Sequence, residues 1–440
     1  MFSNKLKIIC LLLTSFMIAG TLSSCSSSKS VNSNNKKADK VEISFWHNWA
    51  TGPAGDSIKK SVLDFNNSHP NIVVKPLFVA TDGGDSITSK LLTAVAGGNP
   101  PEVMLASRYG VAEYMDALTL VTDLAKKDNI TKDMFYPWAW DEASYEGKLL
   151  GLPYDGTSRA LYYNKDQFKE VGLDPENPPK TIAELTDAAI KLTKKDGNKV
   201  TRFGLIPWFG EGWLYTWGWA FGGEFLNEST GQVTANDPKI VQALTWMTGL
   251  GKQLGAQNVS SFVSSAGTNA NDPFISGQLS MEITGNWTMA SIKQYNPSLN
   301  YGVTNIPTPD GTNFNTFVGG RVLIIPKGIK GEKLDAAWTF IKWMCTTKEG
   351  QSLKKITGEF PAMPSITKEI YANDKMQQKF IDVLPNGKNR PVILAGNMMW
   401  DQLSKAPDLI MNGKGTPQSV LDQITKDINN EIAKKKAQAK

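Results

Sequence analysis

The residues best suited to chemistry in this chain are its indoles. It carries thirteen tryptophans and eleven tyrosines, and many stand outside clean helical faces, beside Gly, Pro and polar residues. Trp46-His47-Asn48-Trp49, Trp138, Trp140, Trp208, Trp213, Trp217, Trp219, Trp287 and Trp400 are of this kind. An indole can stack on the apolar C–H face of a sugar ring while Asp, Asn, Arg and backbone groups take its hydroxyl rim. A recognition site must supply both, because a buried hydroxyl without a partner costs about 1–3 kcal/mol. The same residues also serve as core and interface packing, so spacing alone does not separate the two roles. Other chemistries find less support. His47 and His69 are the only histidines, and the three cysteines are Cys10, Cys25 and Cys345, so no Cys/His cluster of zinc-ligand spacing exists. Cys345, within a helical pattern, reads as a small buried hydrophobe. Gly97-Gly98 and Gly222-Gly223 lack the spacing of a phosphate-binding or dinucleotide-binding loop. No cofactor is expected.

The ends of the chain bound the compartment. Lys5 and Lys7 precede a mostly apolar run from Ile8 to Ala19, shorter than the roughly 20 residues that span a bilayer, as in a signal peptide. Leu22-Ser23-Ser24-Cys25 resembles a bacterial lipobox, which makes residues 1–24 a lipoprotein signal and Cys25 the acylated anchor at the outer face of the cell membrane. Residues 25–40 are too polar to offset the entropy of ordering and read as a tether. A formal charge of +5 over 440 residues is too weak and too dispersed for nucleic-acid binding.

Several elements must position any site. A chain of this length exceeds one core, so two domains are expected. Val41 to Trp46 reads as a strand, followed by a Gly-rich loop from Ala50 to Gly55 and a helix with Ile58, Val62 and Phe65 on one face. A second strand runs from Ile72 to Val79. The next helix carries Ile87, Leu91 and Val95 and stops at Gly97-Gly98, and a short strand follows from Val103 to Ala106. This alternation opens a doubly wound, parallel α/β sheet. Thr181-Ile182-Ala183-Glu184 fits a capping box leading into Leu185, Ala189 and Leu192. Val322 to Pro326 is β-prone, Trp338 falls on a buried helix face, and the lysine-rich stretch Glu431 to Lys440 reads as a solvated helix end.

From Val41 to about Trp400 the chain resembles the extracellular solute-binding proteins of carbohydrate ABC transporters, the group that includes maltose-binding proteins. The resemblance rests on Tyr145-Glu146-Gly147-Lys148-Leu149-Leu150-Gly151-Leu152-Pro153-Tyr154-Asp155, on Leu161-Tyr162-Tyr163-Asn164-Lys165-Asp166, and on Phe274 to Met281 with Gly285-Asn286-Trp287. Tyr301-Gly302-Val303, Gly319-Gly320-Arg321 and Ala336-Ala337-Trp338 complete it. It implies a two-lobed, periplasmic-binding-protein-like α/β fold, each lobe a doubly wound, mostly parallel sheet flanked by helices, with ligand in the cleft between lobes. The N-terminal lobe would comprise 41–152 and 318–357, the C-terminal lobe 153–317 and 358–440. Chain crossings are expected near Gly151–Asp155, Thr312–Phe317 and Thr357–Ala362.

Carried onto this sequence, the resemblance implies ligand contacts from His47, Asn48 and Trp49 after the first strand, from Asp82, and from Arg108. It further implies Asp155, Thr157 and Ser158 at the crossing, Trp208, Glu211 and Trp213 in a loop of uncertain register, the stacking residues Trp287 and Trp400, and Gly320 and Arg321. The implied function is capture of a saccharide, an oligosaccharide by the number of aromatics, by hinge closure and delivery to the transmembrane permease subunits of the importer. The protein would be a monomer and would transform nothing. Two alternatives stay open. A glycosidase would need two carboxylates about 5 Å or about 6.5–9.5 Å apart. A binding protein for another solute, such as glycerol phosphate, would need several Arg or Lys residues in the cleft, where only Arg108 and Arg321 are evident.

Overall fold

The computed structural model describes residues 40–438 apart from 82–86, 198 and 313–315, with the side chains of Asn269 and Asn386 also excepted. Cys25 and Asp82 lie outside the described residues. Strand β1, Val41–His47, alternates so that Ile43, Phe45 and His47 point inward, the period-two pattern of a strand with one buried face. Helix α1, Gly52–Ser68, follows at once and buries Ile58, Val62 and Phe65. The expected glycine-rich loop is therefore mostly the first turn of this helix, with Pro53 where its missing N–H costs nothing. Gly55 is required there, since a Cβ would stand 2.7 Å from the Ala50 carbonyl oxygen. Strands β2, Ile72–Phe78, and β3, Val103–Ser107, both run parallel to β1.

The first sheet is completed by strand β4, Leu152–Pro153, and by a strand that returns much later in the chain, Arg321–Ile324. The latter lies antiparallel between β3 and β4, with Arg321 opposite Ser107 and Val322 opposite both Ala106 and Pro153. The second sheet is built around strand β5, Asp155–Asn164, whose ten residues are all buried. Strands β6, Met281–Gly285, and β7, Tyr301–Thr304, pair with its second half. Strands β8, Val318–Gly319, and β10, Phe360–Pro361, pair with its first half, and Arg321–Ile324 becomes β9. All four partners of β5 are antiparallel to it. The expectation of a mostly parallel sheet in both lobes thus holds for β1–β3 and is corrected in the second sheet, where hairpin-like and crossing strands replace βαβ units.

Strand β5 is also the wall between two hydrophobic cores. Ala160 and Tyr162 belong to the core that includes the first sheet and the helix Gly331–Thr346, whereas Leu161 and Tyr163 belong to the core that includes helices Ile182–Leu192, Pro238–Leu254, Gly396–Met411 and Pro417–Gln438. The capping box at Thr181 and Glu184 is present. Trp338 is buried with its Nε1 donating to Asp128 at 2.6 Å, and Cys345 is fully buried. The C-terminal helix is not merely solvated: Lys435 Nζ reaches Glu113 at 2.8 Å and the Leu394 carbonyl at 2.9 Å.

The chain passes between sheets at Pro153 to Asp155, and again within Gly319-Gly320-Arg321, a few residues after the stretch the sequence suggested. Arg108, at the end of β3, sits under both crossings with no solvent exposure. Its Nε donates to Glu142 at 3.1 Å, and its Nη1 donates to the carbonyls of Asp155 and of Arg321, the latter at 3.0 Å. Asp155 Oδ1 in turn accepts from the Arg321 backbone N–H at 2.7 Å. Burial pushes the Glu142 carboxyl up, and the charge of Arg108 pulls it back.

Removing one partner of such a buried pair leaves an uncompensated charge, at a cost of about 3–5 kcal/mol. Arg108→Met is therefore expected to lower the unfolding free energy by about that amount, with Arg108→Met/Glu142→Leu recovering a substantial part; equal losses in single and double variants in denaturant titration would contradict this. A second prediction concerns His47, buried between Phe45 and Phe78 with ring centroids 5.6 and 6.4 Å away. Loss of hydration lowers its pKa to about 4, against a weaker opposing hydrogen bond at Trp49. Below the ordinary value near 6.5 the unfolded chain takes up the proton first, so stability present above pH 6.5 is lost as pH falls toward 4. Melting temperatures between pH 7 and pH 4.5 should fall less steeply in His47→Gln than in the wild type.

Candidate functional site

A cavity of about 290 Å³ lies where the two sheets exchange strands. The first sheet contributes Trp49 and Thr51 from the turn after β1, Ser107 from the end of β3, and Gly320 and Arg321 at the start of β9. The far wall is Thr157 and Arg159 from β5, Glu211 and Trp213 from the loop before helix Leu214–Ala220, and Trp287 and Ser291 beyond β6. Thr357 and Glu359 come from the segment entering β10, and Arg390 closes the wall.

Local sequence explains why these side chains reach one place. A strand buried on both faces is ordinarily apolar throughout, but β5 reads Asp-Gly-Thr-Ser-Arg before it reads Ala-Leu-Tyr-Tyr. Its polar half is held in the ladder by β8 and β10 and delivers Thr157 and Arg159 to the cavity. Gly285 has no side chain where the Trp287 ring folds back over it; a Cβ there would lie 1.9–2.3 Å from the ring. Asn286 anchors that turn by accepting from Ser158 N at 3.1 Å and donating to the Gly358 carbonyl at 2.7 Å. Gly320 is required by close approach: a Cβ would fall 2.4 Å from the Asp155 carbonyl oxygen and 2.5 Å from Arg108 Nη1.

Two of the arginines lining the cavity are paired with carboxylates, and three are held against rings. Arg159 Nε and Nη2 donate to Glu211 Oε2 at 2.9 and 2.8 Å, and its Nη1 donates to Thr157 Oγ1 at 2.7 Å. Its guanidinium lies 4.2 Å from the Phe317 centroid and 5.0 Å from that of Trp287. Arg321 stacks 4.4 Å over Trp49 and pairs with Glu359 at 3.2 Å. Burial and the neighbouring Asp155 charge push the Glu359 carboxyl up, against Arg321 and Lys354. Lys354, buried over the Tyr154 ring, has its ammonium pushed down by loss of hydration. Arg390 faces Tyr109 at 3.7 Å, Phe317 at 5.0 Å and Trp400 at 5.1 Å. Paired guanidiniums and carboxylates on aromatic platforms can grip hydroxyls through charge-assisted hydrogen bonds while the indoles take an apolar face.

Of the residues singled out in the sequence, Trp49, Thr157, Glu211, Trp213, Trp287, Gly320 and Arg321 come together on this cavity. The others stand elsewhere. His47 faces the first core, and half-buried Asn48 does not line the cavity. Arg108 and Asp155 lie beneath the floor, and Ser158 is spent on Asn286 and Thr316. Trp208 covers Gly251, where a Cβ would meet its ring at 2.4 Å, and Trp400 braces Trp213 edge-on at 4.1 Å. Sequence reading passed over Arg159, Glu359 and Arg390. The polar run of β5 was a usable signal for Arg159; Glu359 lay inside an expected crossing; nothing local marks Arg390.

Comparison with known proteins places these features in a family. The model for bacterial extracellular solute-binding proteins matches residues 60–379. The sn-glycerol-3-phosphate-binding periplasmic protein UgpB of Escherichia coli (strain K12) is 26% identical over 419 residues, spanning 86% of this chain and 90% of its own. CpMnBP1, solved with mannotriose bound, is 30% identical with a TM-score of 0.80, covering 88% of this chain and all of that one. The ABC substrate-binding protein of Listeria monocytogenes in complex with cycloalternan shares the fold at a TM-score of 0.76 and 23% identity, over 90% of this chain and all of its own. With most of its length matched by one family model and its strands crossing around an aromatic, arginine-lined cavity, the chain belongs to the bacterial extracellular solute-binding proteins.

Proposed function

We propose that the chain is the substrate-capturing subunit of an ABC importer, and that its solute is a short oligosaccharide held between Trp49, Trp213 and Trp287. The observation that carries this is the cavity itself: three indoles facing hydrogen-bonding groups that are already fixed by partners. Its volume of about 290 Å³ stands at the small end of the roughly 300–1,000 Å³ usual for ligand pockets, which suits few sugar rings. CpMnBP1, the 30% identical relative, was solved with mannotriose and, in a companion structure, with mannobiose. The lobes, divided as 41–152 with 318–357 and 153–317 with 358–440, close on the sugar by hinge motion about the crossings, and the closed form is what the permease receives.

Binding proceeds without chemistry. Glu211 and Glu359, the carboxylates among the described lining residues, are each engaged by an arginine, which supports a binding role for both. A phosphorylated polyol is the second reading. It is favoured by the three arginines on the wall, more than the sequence had suggested, and by the likeness to the glycerol-3-phosphate-binding protein. The protein works at the outer face of the membrane, tethered through Cys25.

Mannobiose and mannotriose, within a panel of neutral disaccharides, are expected to quench tryptophan emission and raise the melting temperature, and to be recovered intact by chromatography. Trp287→Ala should weaken binding about 10–30-fold with little change in stability. A panel producing neither signal would remove the sugar assignment. Labelled palmitate should enter the wild type in a bacterial host and be lost from Cys25→Ala, with release of protein to the medium; labelling that survives would place the anchor elsewhere.

A further inference from the structure

Resting on the saccharide reading above, we propose that Arg390 is the seat of an anionic oxygen group, a carboxylate or phosphate, carried by the sugar this protein binds. Arg390 is 6% exposed and lines the cavity. Among the described residues its side chain makes no hydrogen bond and no ion pair, and its Nε is buried without a partner. Rings hold it in place: Tyr109, Phe317 and Trp400 surround the guanidinium. They fix its plane and satisfy none of its N–H donors. A buried charge without a hydrogen-bonded counterion is costly, and proteins ordinarily neutralise one or pair it.

The neighbouring charges do not supply that partner. Glu142 feels the charge of Arg390 but is hydrogen-bonded to Arg108. Glu211 is taken by Arg159 on two donors. Glu359 and Asp155 both face Arg321, at 3.2 and 3.8 Å. Arg390 is left over, and the other cations beside it make matters worse. Arg390 Nη2 and Arg159 Nη1 converge on Gly319, 3.3 and 3.5 Å from where its Cβ would stand, and each repels the other. Two guanidiniums directed at one small space, one of them without a side-chain hydrogen bond among the described residues, form the geometry that a planar carboxylate or a phosphate completes with charge-assisted bonds. A neutral hydroxyl would accept one of those bonds and leave the charge uncompensated.

The test uses matched ligands on the full mature protein, by calorimetry and tryptophan emission: mannobiose, its C6-oxidised uronic acid, its C6-phosphate ester, and glycerol 3-phosphate. One of the anionic sugars should bind the wild type at least about tenfold tighter than mannobiose, the value of one charge-assisted hydrogen bond. Arg390→Gln should reduce that preference, the ratio of the two affinities in the same variant, to less than about threefold, and Arg390→Lys should retain part of it. The uronic acid and phosphate arms identify the source of the anion. The wild-type comparison needs no variant, so a poorly folding Arg390→Gln does not obscure the answer. Mannobiose binding as tightly as both its anionic forms overturns the inference and leaves the saccharide reading intact. Binding of glycerol 3-phosphate alone overturns the saccharide reading and supports the anion seat. Failure of every anionic probe to bind overturns the seat.

Discussion

The structure turns on a polar strand that is buried. The first half of β5, Asp155 to Arg159, runs buried through the junction of the two sheets. Each polar group there must find a partner or impose a cost of the order of a lost hydrogen bond or more. Arg108 answers much of that demand. Placed at the end of β3, it accepts its own burial by pairing with Glu142 and spends its Nη1 on the carbonyls of Asp155 and Arg321. One guanidinium thereby joins the two points at which the chain changes sheet. Asp155 repeats the device in the opposite sense, accepting from the Arg321 N–H.

From this knot the lining of the cavity follows. Because β9 is pinned to β5 at Arg321, the Arg321 side chain is brought over Trp49 and against Glu359. Two residues along β5 from Thr157, Arg159 is carried by strand alternation to the same wall, where Glu211 and Trp287 receive it. These groups do not have to be gathered when a ligand arrives. Their ordering was met during folding, so less of the binding energy is lost to immobilising side chains.

Much of the framework was legible in the sequence because it depends on local rules. The apolar spacing of Ile58, Val62 and Phe65, the capping box at Thr181 and Glu184, and the glycine stop at Gly97-Gly98 all describe elements that form as read. Of the aromatic excess, Trp49, Trp213 and Trp287 line the cavity. What escaped was parity and pairing. His47 and Trp49 are two residues apart, yet the strand ends between them, so one faces the core and the other the cavity. The antiparallel second sheet was hidden because its partners for β5 come from positions far along the chain, and no local pattern specifies such pairings. Glu359 and Arg390 are single charged residues in unremarkable surroundings, and only tertiary contact gives them meaning.

Arg108 and Arg390 show why residue type alone could not have separated the two roles. Both are buried, both meet tryptophan, and both lie within reach of the charge on Glu142. In the sequence Arg108 resembled the ligand-binding position and Arg390 resembled nothing. Partners reverse that order. Arg108 binds Glu142 and two carbonyls through its Nε and Nη1, so its charge has a counterion inside the protein although its Nη2 is buried without a hydrogen-bond partner. Arg390 is enclosed by rings that offer only their faces, and its donors open toward a cavity shared with Arg159. Burial with partners builds a fold; burial without them leaves the compensation to something that comes from outside.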